Sequence, residues 1–171
     1  VKNGITSAPV CTDCHGEHNI LNHKDPRSPV AAGNVSSQVC SPCHSSVKLN
    51  QKYGLANDRF KSFADSYHGL AGTAGSVQVA NCASCHGVHD IKPSSDPTSR
   101  ISKANLINTC GTCHPGANEN FTKGSVHVIA TEKQEDVLYY VSTTYIILII
   151  VLIGGMLGHN LLDFVKKSKR Q

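Results

Sequence analysis

Four times in this chain two cysteines three residues apart are followed at once by a histidine: CTDCH at 11–15, CSPCH at 40–44, CASCH at 82–86 and CGTCH at 110–114. The four motifs use all eight cysteines. A disulfide framework joins distant segments, whereas here each cysteine has its partner three residues away. The surrounding chain makes this constraint stronger. Of 171 residues, the first 130 or so are poor in large aliphatics, lack tryptophan and are rich in Gly, Ser, Asn and Pro. Such a segment buries too little apolar surface to offset its conformational entropy. Something other than its own side chains is expected to fill the interior.

Three chemistries use paired thiols at this spacing. A zinc site accepts C-x-x-C pairs some 25 residues apart, but does not require histidine directly after the second cysteine. A redox dithiol needs a surrounding βαβ pattern, and none is visible. The third is covalent attachment of haem c, for which C-x-x-C-H is the attachment pattern. Two thiols bond to the vinyl-derived carbons on one porphyrin edge, and the next residue places its imidazole on the iron. Chance would put histidine after all four pairs roughly once in 10⁵. Four covalent haems are expected, held by Cys11/Cys14, Cys40/Cys43, Cys82/Cys85 and Cys110/Cys113, with His15, His44, His86 and His114 on iron.

The second axial ligand follows from an internal repeat. The only methionine, Met156, lies in a C-terminal apolar run, so methionine ligation in the body is excluded. CTDCHGEHNILNHKDPRS leads to CSPCH, and CASCHGVHDIKPSSDPTS leads to CGTCH, with first cysteines 29 and 28 residues apart. His18 matches His89, Ile20 matches Ile91, Asp25-Pro26 matches Asp96-Pro97, and Ser28 matches Ser99. Each half then carries a phenylalanine and an S-x-H: Phe63 with Ser66-Tyr67-His68, and Phe121 with Ser125-Val126-His127. The spare histidines His18, His68, His89 and His127 are the expected distal ligands, giving bis-histidine iron. His18 and His89 stand three residues past an attachment histidine, too close to wrap their own haem, so each is expected on a neighbouring one. The plainer alternative makes these four surface or hydrogen-bonding histidines. His23 faces Ser94 in the alignment, breaks the repeat, and reads as an ordinary polar residue, with replacement of another ligand as the alternative.

Across residues 11–127 this pattern resembles the multihaem cytochromes c with doubled C-x-x-C-H motifs. The resemblance implies a haem-cored fold of short helices and loops, bis-histidine iron and electron transfer. The layout is also similar to membrane-anchored tetrahaem quinol dehydrogenases. Those carry their anchor at the N-terminus, and here it is C-terminal, so quinol chemistry is not inherited.

Residues 137–158, VLYYVSTTYIILIIVLIGGMLG, carry no charge and are long enough to cross a bilayer as one helix. Tyr139, Tyr140 and Tyr145 fit an interfacial aromatic belt. Glu135 and Asp136 suit the helix N-terminus, and Lys166 and Lys167 its other end. The basic tail KKSKR places the C-terminus in the cytoplasm and the haems on the periplasmic side of the cytoplasmic membrane. Haem c attachment outside the cytoplasm agrees. Gly154 and Gly158 form a G-x-x-x-G that suits a partner helix. His159 and Asp163 share a face and read as an interfacial polar pair, with a b-haem ligand or a quinone contact as the alternative.

Most of the formal charge of +4 belongs to the tail. Removing Lys166, Lys167, Lys169, Arg170 and Asp163 from 16 basic and 12 acidic residues leaves 12 against 11. No basic block is interleaved with aromatics, so nucleic acid is not a partner. The expected organisation is a first dihaem unit at 1–68, a glycine-rich joint at 69–81, a second dihaem unit at 82–127, a linker at 128–136, the membrane helix at 137–165 and the tail at 166–171. Short helices are expected at 36–50, carrying Cys40 to His44, at 56–67, and at 102–114, carrying Cys110 to His114. The joint lacks the G-K-[ST] of a phosphate loop. The nine-residue linker spans at most about 30 Å, which sets the second unit near the membrane surface. There is no initiator methionine or signal peptide, so a mature or truncated form is expected. VKNGITSAPVC at the N-terminus resembles the joint AGTAGSVQVANC, which hints at a further haem unit upstream.

The fold expected is therefore a mainly α and irregular haem-cored domain of two repeated dihaem units, plus one C-terminal transmembrane helix. The function expected is electron transfer between a membrane redox partner or quinone and periplasmic partners, because iron closed by two imidazoles shuttles electrons. The runner-up is a multihaem oxidoreductase of small nitrogen or sulfur compounds, which needs one open haem.

Overall fold

The computed structural model describes residues 7–128 and 136–169. The chain forms two compact units, Val1–His127 and Val128–Gln171. Among the described residues every regular element is helical. The first unit carries α1 (Cys11–His15), a π-helical turn (Val35–Cys40), α2 (Ser41–His44), α3 (Val47–Tyr53), α4 (Arg59–Ala64), α5 (Tyr67–Thr73), α6 (Cys82–His86) and α7 (Leu106–Gly111). The second carries α8 (Asp136–Ser168).

The helices of the first unit are shorter than the sequence pattern predicts, and polar side chains are the reason. Instead of one helix over 36–50, the chain breaks at Ser46, whose hydroxyl accepts from Leu49 N–H and starts α3 afresh. The helix expected at 56–67 divides in the same way. Ser66 Oγ accepts from Gly69 N–H while donating to Phe63 O, ending α4 and opening α5. The third is trimmed at both ends. Asn105 is committed to the preceding turn, and α7 stops at Gly111, so Cys113 and His114 stand beyond the helix expected to carry them. α5 reaches Thr73, so the stretch read as a joint begins as helix.

Hydrogen bonds hold this unit where apolar packing is thin. Ala31 and Val35 are the only buried hydrophobic side chains among the described residues, beside buried Ser28, Asn50, Ser62, Ser99 and Ser102. Two matching turns account for two of those serines. In the first repeat Ser28 N–H donates to Asp25 O, Ser28 Oγ to Leu21 O, and Asn34 Nδ2 to both Pro26 O and Ser28 O at 2.8 Å. In the second, Ser99 N–H donates to Asp96 O and Ser99 Oγ to Lys92 O. Asn105 Nδ2 reaches Pro97 O at 3.0 Å and Ser99 O at 2.8 Å. Asp25 and Asp96 each accept the N–H two residues on, the turn chemistry that favours aspartate there. Arg27 hydrogen bonds hold the Asp25 carboxyl down to about 2. The duplication visible in the sequence is thus a duplication of turns, each satisfying two of its own carbonyls with one asparagine.

α8 is long and apolar enough to cross a membrane, with a mean hydropathy of 2.2 over its best window and no buried residue in it. Its 33 residues rise about 50 Å, more than the roughly 30 Å of hydrocarbon they would cross. Lys166 and Lys167 occupy its last turn, so the tail begins helical. Asp163 pairs with Lys167 at 2.7 Å, one turn on, rather than with His159. Glu135, Arg170 and residues 129–135 of the linker lie outside the described residues.

Gly69 in α5 tests how closely the short helices pack. A Cβ there would come within 2.6 Å of Ala64 Cα and would also meet Phe63 O. Gly69→Ala should destabilise the first unit by about 1–3 kcal/mol, read as a lower midpoint in denaturant titration.

Candidate functional site

The C-x-x-C-H spacing acquires its meaning on a helical turn. Positions i, i+3 and i+4 share one face, so α1 and α6 each present two thiols and one imidazole on the same side. The chain then turns away sharply: Gly16 and Gly87 follow the histidines at φ 78° and 82°, a region open to glycine at little cost. Their N–H groups close the turns on Thr12 O and Ala83 O, both at 2.9 Å.

The other two motifs differ from these. Cys40 ends the π-helical turn, and Cys43 and His44 follow on α2. The fourth motif departs furthest from the expected single helix. Cys110 lies in the last turn of α7, whereas Cys113 falls in the turn after it and its thiol is exposed. The reason is a change of hydrogen bonding: Cys113 N–H donates to Cys110 O at 3.2 Å, a three-residue closure that tightens the helix end. His114 N–H shares the same acceptor at 2.9 Å. Cys113 thus stays within one turn of Cys110, as attachment to one porphyrin edge requires, but on a turn and not on a helix.

Thiols of successive motifs lie near one another. Cys14 has Cys43 close enough for its charge to help raise the Cys14 thiol, after the larger effect of burial. The thiols of Cys40 and Cys82 hydrogen-bond across the repeat boundary, holding a proton on Cys40 and pushing Cys82 down to about 6. Burial raises Cys85 most, with Cys110 next and Cys113 a smaller contributor. All eight cysteines are free thiols. The second repeat docks on the first at this boundary: Asn81 Nδ2 donates to Ala32 O at 3.1 Å and Cys82 N–H to Ser36 Oγ at 3.2 Å.

Three pairs of imidazoles face each other. Ring centroids are 6.2 Å apart for His15 and His89, 6.0 Å for His68 and His114, and 6.3 Å for His86 and His127. Each pair joins one motif histidine to one spare histidine of the repeat. A ring nitrogen about 2 Å from a shared metal and about 1 Å from its own centroid gives a separation of about 6 Å. The spacing therefore fits one iron between two imidazoles. Donors come together in twos, since no group of three His, Cys, Asp or Glu is gathered among the described residues. His18, His23 and His44 face no other ring among the described residues. His18 and His44 are exposed, and the His18 ring lies 3.9 Å from the Glu17 carboxylate.

The pairing of His127 exposes a residue that sequence reasoning missed. Ser62 is 1 % exposed, and its Oγ lies 3.0 Å from Arg59 O and 2.9 Å from His127 Nδ1. A hydroxyl has one proton, and the Arg59 carbonyl can only accept it. Ser62 therefore accepts from His127 Nδ1–H, which leaves Nε2 as the unprotonated nitrogen, the one that could ligate a metal. Nothing in the sequence signals this contact, because 65 residues separate the two. Asn50 was missed too. It is 1 % exposed and its amide donates to His44 O at 2.9 Å, tying α3 to the end of the second motif.

Burial, the largest effect on both, pushes His86 and His127 below the ordinary histidine value of 6.5. For His86 the neighbouring His127 and His44 add to it. Neutral rings are the form a metal needs. A lowered folded-state value means that the unfolded chain takes up protons first, so this contribution is whole above about pH 6.5 and is lost on acidification. Before haem loading, the denaturation midpoint should fall as pH drops from about 7.5 to 5, and His127→Phe should flatten that slope. Ser62→Ala should cost about 1–3 kcal/mol by denaturant titration, because it strands the Nδ1 proton. Compared with known proteins, the chain matches no family model, no curated protein and no solved structure.

Proposed function

We propose that this protein is a membrane-anchored, multihaem c-type cytochrome of the doubled C-x-x-C-H kind, carrying single electrons along a row of covalently attached haems. The observation that carries the reading is the set of three facing imidazole pairs, each combining an attachment histidine with a spare one at iron-spanning distance. Cys11 and Cys14, Cys40 and Cys43, Cys82 and Cys85, and Cys110 and Cys113 are the attachment thiols. His15, His86 and His114 would hold iron with His89, His127 and His68 opposite, and His44 would hold the fourth.

The thin apolar core supports the same reading. Ile20 and Ile91, equivalent in the two repeats, are 66 % and 60 % exposed just beyond the motifs, where a porphyrin face would cover them. The nearness of thiols in successive motifs supports close haem-to-haem spacing, which a conduit requires. When bound, haem supplies the one-electron chemistry; the chain supplies axial ligands, burial and hydrogen bonds that tune its potential. Here Ser62 does so by fixing the tautomer of His127.

The anchor is α8. The basic residues at its C-terminal end, Lys166 and Lys167 among them, support a cytoplasmic side for that end and a periplasmic side of the cytoplasmic membrane for the haems. Gly154 and Gly158 have open space beside them and suit a partner helix, as in a quinol-oxidising or photosynthetic complex. The partners are then a membrane redox protein or quinone on one side and periplasmic redox proteins on the other.

Intact-mass measurement and a pyridine haemochrome assay on the purified protein should count four thioether-linked haems. Replacing both cysteines of any one motif should lower the count by one. A full-length chain without covalent adducts, or with stoichiometric zinc, refutes the reading.

A further inference from the structure

We infer that the first repeat is built to receive a preceding dihaem repeat of the same kind. His18 would be the distal ligand of an iron in that repeat, and the iron on His44 would take its second imidazole from that repeat's own S-x-H histidine. This rests on the haem reading above and adds the direction in which ligands are exchanged.

Two of the three imidazole pairs cross the repeat boundary, and they cross it in one register. His89, three residues past the first motif of the second repeat, reaches back to His15 on the first motif of the first repeat. His68, the S-x-H histidine of the first repeat, reaches forward to His114 on the second motif of the second repeat. The rule moved back one repeat assigns His18 to a first-motif histidine there, and His44 to an S-x-H histidine there. These are the two repeat histidines that face no ring among the described residues, and both are exposed. The third pair lies within one repeat: residues 128–171 carry no further C-x-x-C-H, and His127 faces His86 of its own repeat.

The docking surface repeats in part. Asn81 and Cys82 lead into the third motif and bind Ala32 and Ser36 of the first repeat. Their counterparts ahead of the first motif, Val10 and Cys11, are exposed, Val10 by 52 %; the backbone N–H contact of Cys82 has an equivalent there, and the side-chain contact of Asn81 does not. The segment before them is the same kind of joint: Gly4 aligns with Gly75, each seven residues before its motif's first cysteine. Chemistry, register and surface all continue toward a repeat that would precede residue 1.

The test uses the 171-residue protein loaded with haem. Mass measurement first counts the haems; a chain without them overturns both this inference and the reading it rests on, whereas four haems leave the reading intact. Low-temperature EPR and visible spectra should then show three low-spin bis-imidazole irons and one iron that becomes low-spin only on adding free imidazole. That response should vanish in Cys40→Ala/Cys43→Ala, which lacks the haem concerned. His18→Ala should leave the three low-spin irons and the imidazole response as they were. The inference is overturned if all four irons are low-spin without added imidazole. It is overturned equally if His18→Ala opens one iron, since His18 then closes a haem of its own chain. A low-spin count that rises with protein concentration also overturns it, by making a second copy the donor.

Discussion

The first unit depends on one shortage: it has almost no apolar side chains to bury. Ala31 and Val35 cannot hold together more than a hundred residues, and the four buried serines and Asn50 beside them are polar groups that burial penalises unless they are bonded. The chain meets this with turns that satisfy themselves. Asn34 and Asn105 each bridge two carbonyls, and Ser28 and Ser99 each reach back seven residues for another. What such turns cannot provide is a large nonpolar interior. In the proposed holoprotein, porphyrin faces supply that surface and iron ties distant segments of chain together, so cofactor and core are the same thing.

Covalent attachment suits such a body. A haem held by packing alone needs a deep pocket, and a chain of helices this short does not make one. Two thioether bonds from a single turn would fix the porphyrin edge locally, whatever the rest of the fold does. That holds even for Cys110 and Cys113, where the helix has already ended. The second axial ligand would then be the long-range element: His15 with His89 and His68 with His114 each join the two repeats. In the proposed holoprotein folding and ligation would be coupled, because every iron closed this way would also clamp one repeat to the next.

The repeats are equal in sequence more than in structure. Both first motifs are helical turns ended by a glycine at positive φ, and both following turns share their hydrogen bonds. After the second motifs they diverge. The first repeat builds α3, α4 and α5, and His68 sits in the opening turn of α5. The second builds only turns there, and His127 sits in an irregular segment, its ring against Ser62 of α4. The same S-x-H therefore serves opposite ends, one histidine reaching forward to the next repeat and the other folding back.

The sequence by itself determined where the C-x-x-C-H triplets, the duplication and the apolar helix lie, because each is a local pattern: thiols and imidazole within one turn, matched spacings, an uncharged run. It also singled out the spare histidines His18, His68, His89 and His127, since repetition marks them. It could not say which imidazole faces which, that helices would break at Ser46 and Ser66, that Cys113 would fall past the end of its helix, or that Ser62 would hold the ring of His127. The helix breaks and the place of Cys113 rest on hydrogen bonds within three residues, which hydrophobic periodicity does not mark. The facing rings and the Ser62 contact were decided by tertiary structure, for pairings 41 to 74 residues apart depend on how the turns stack in space.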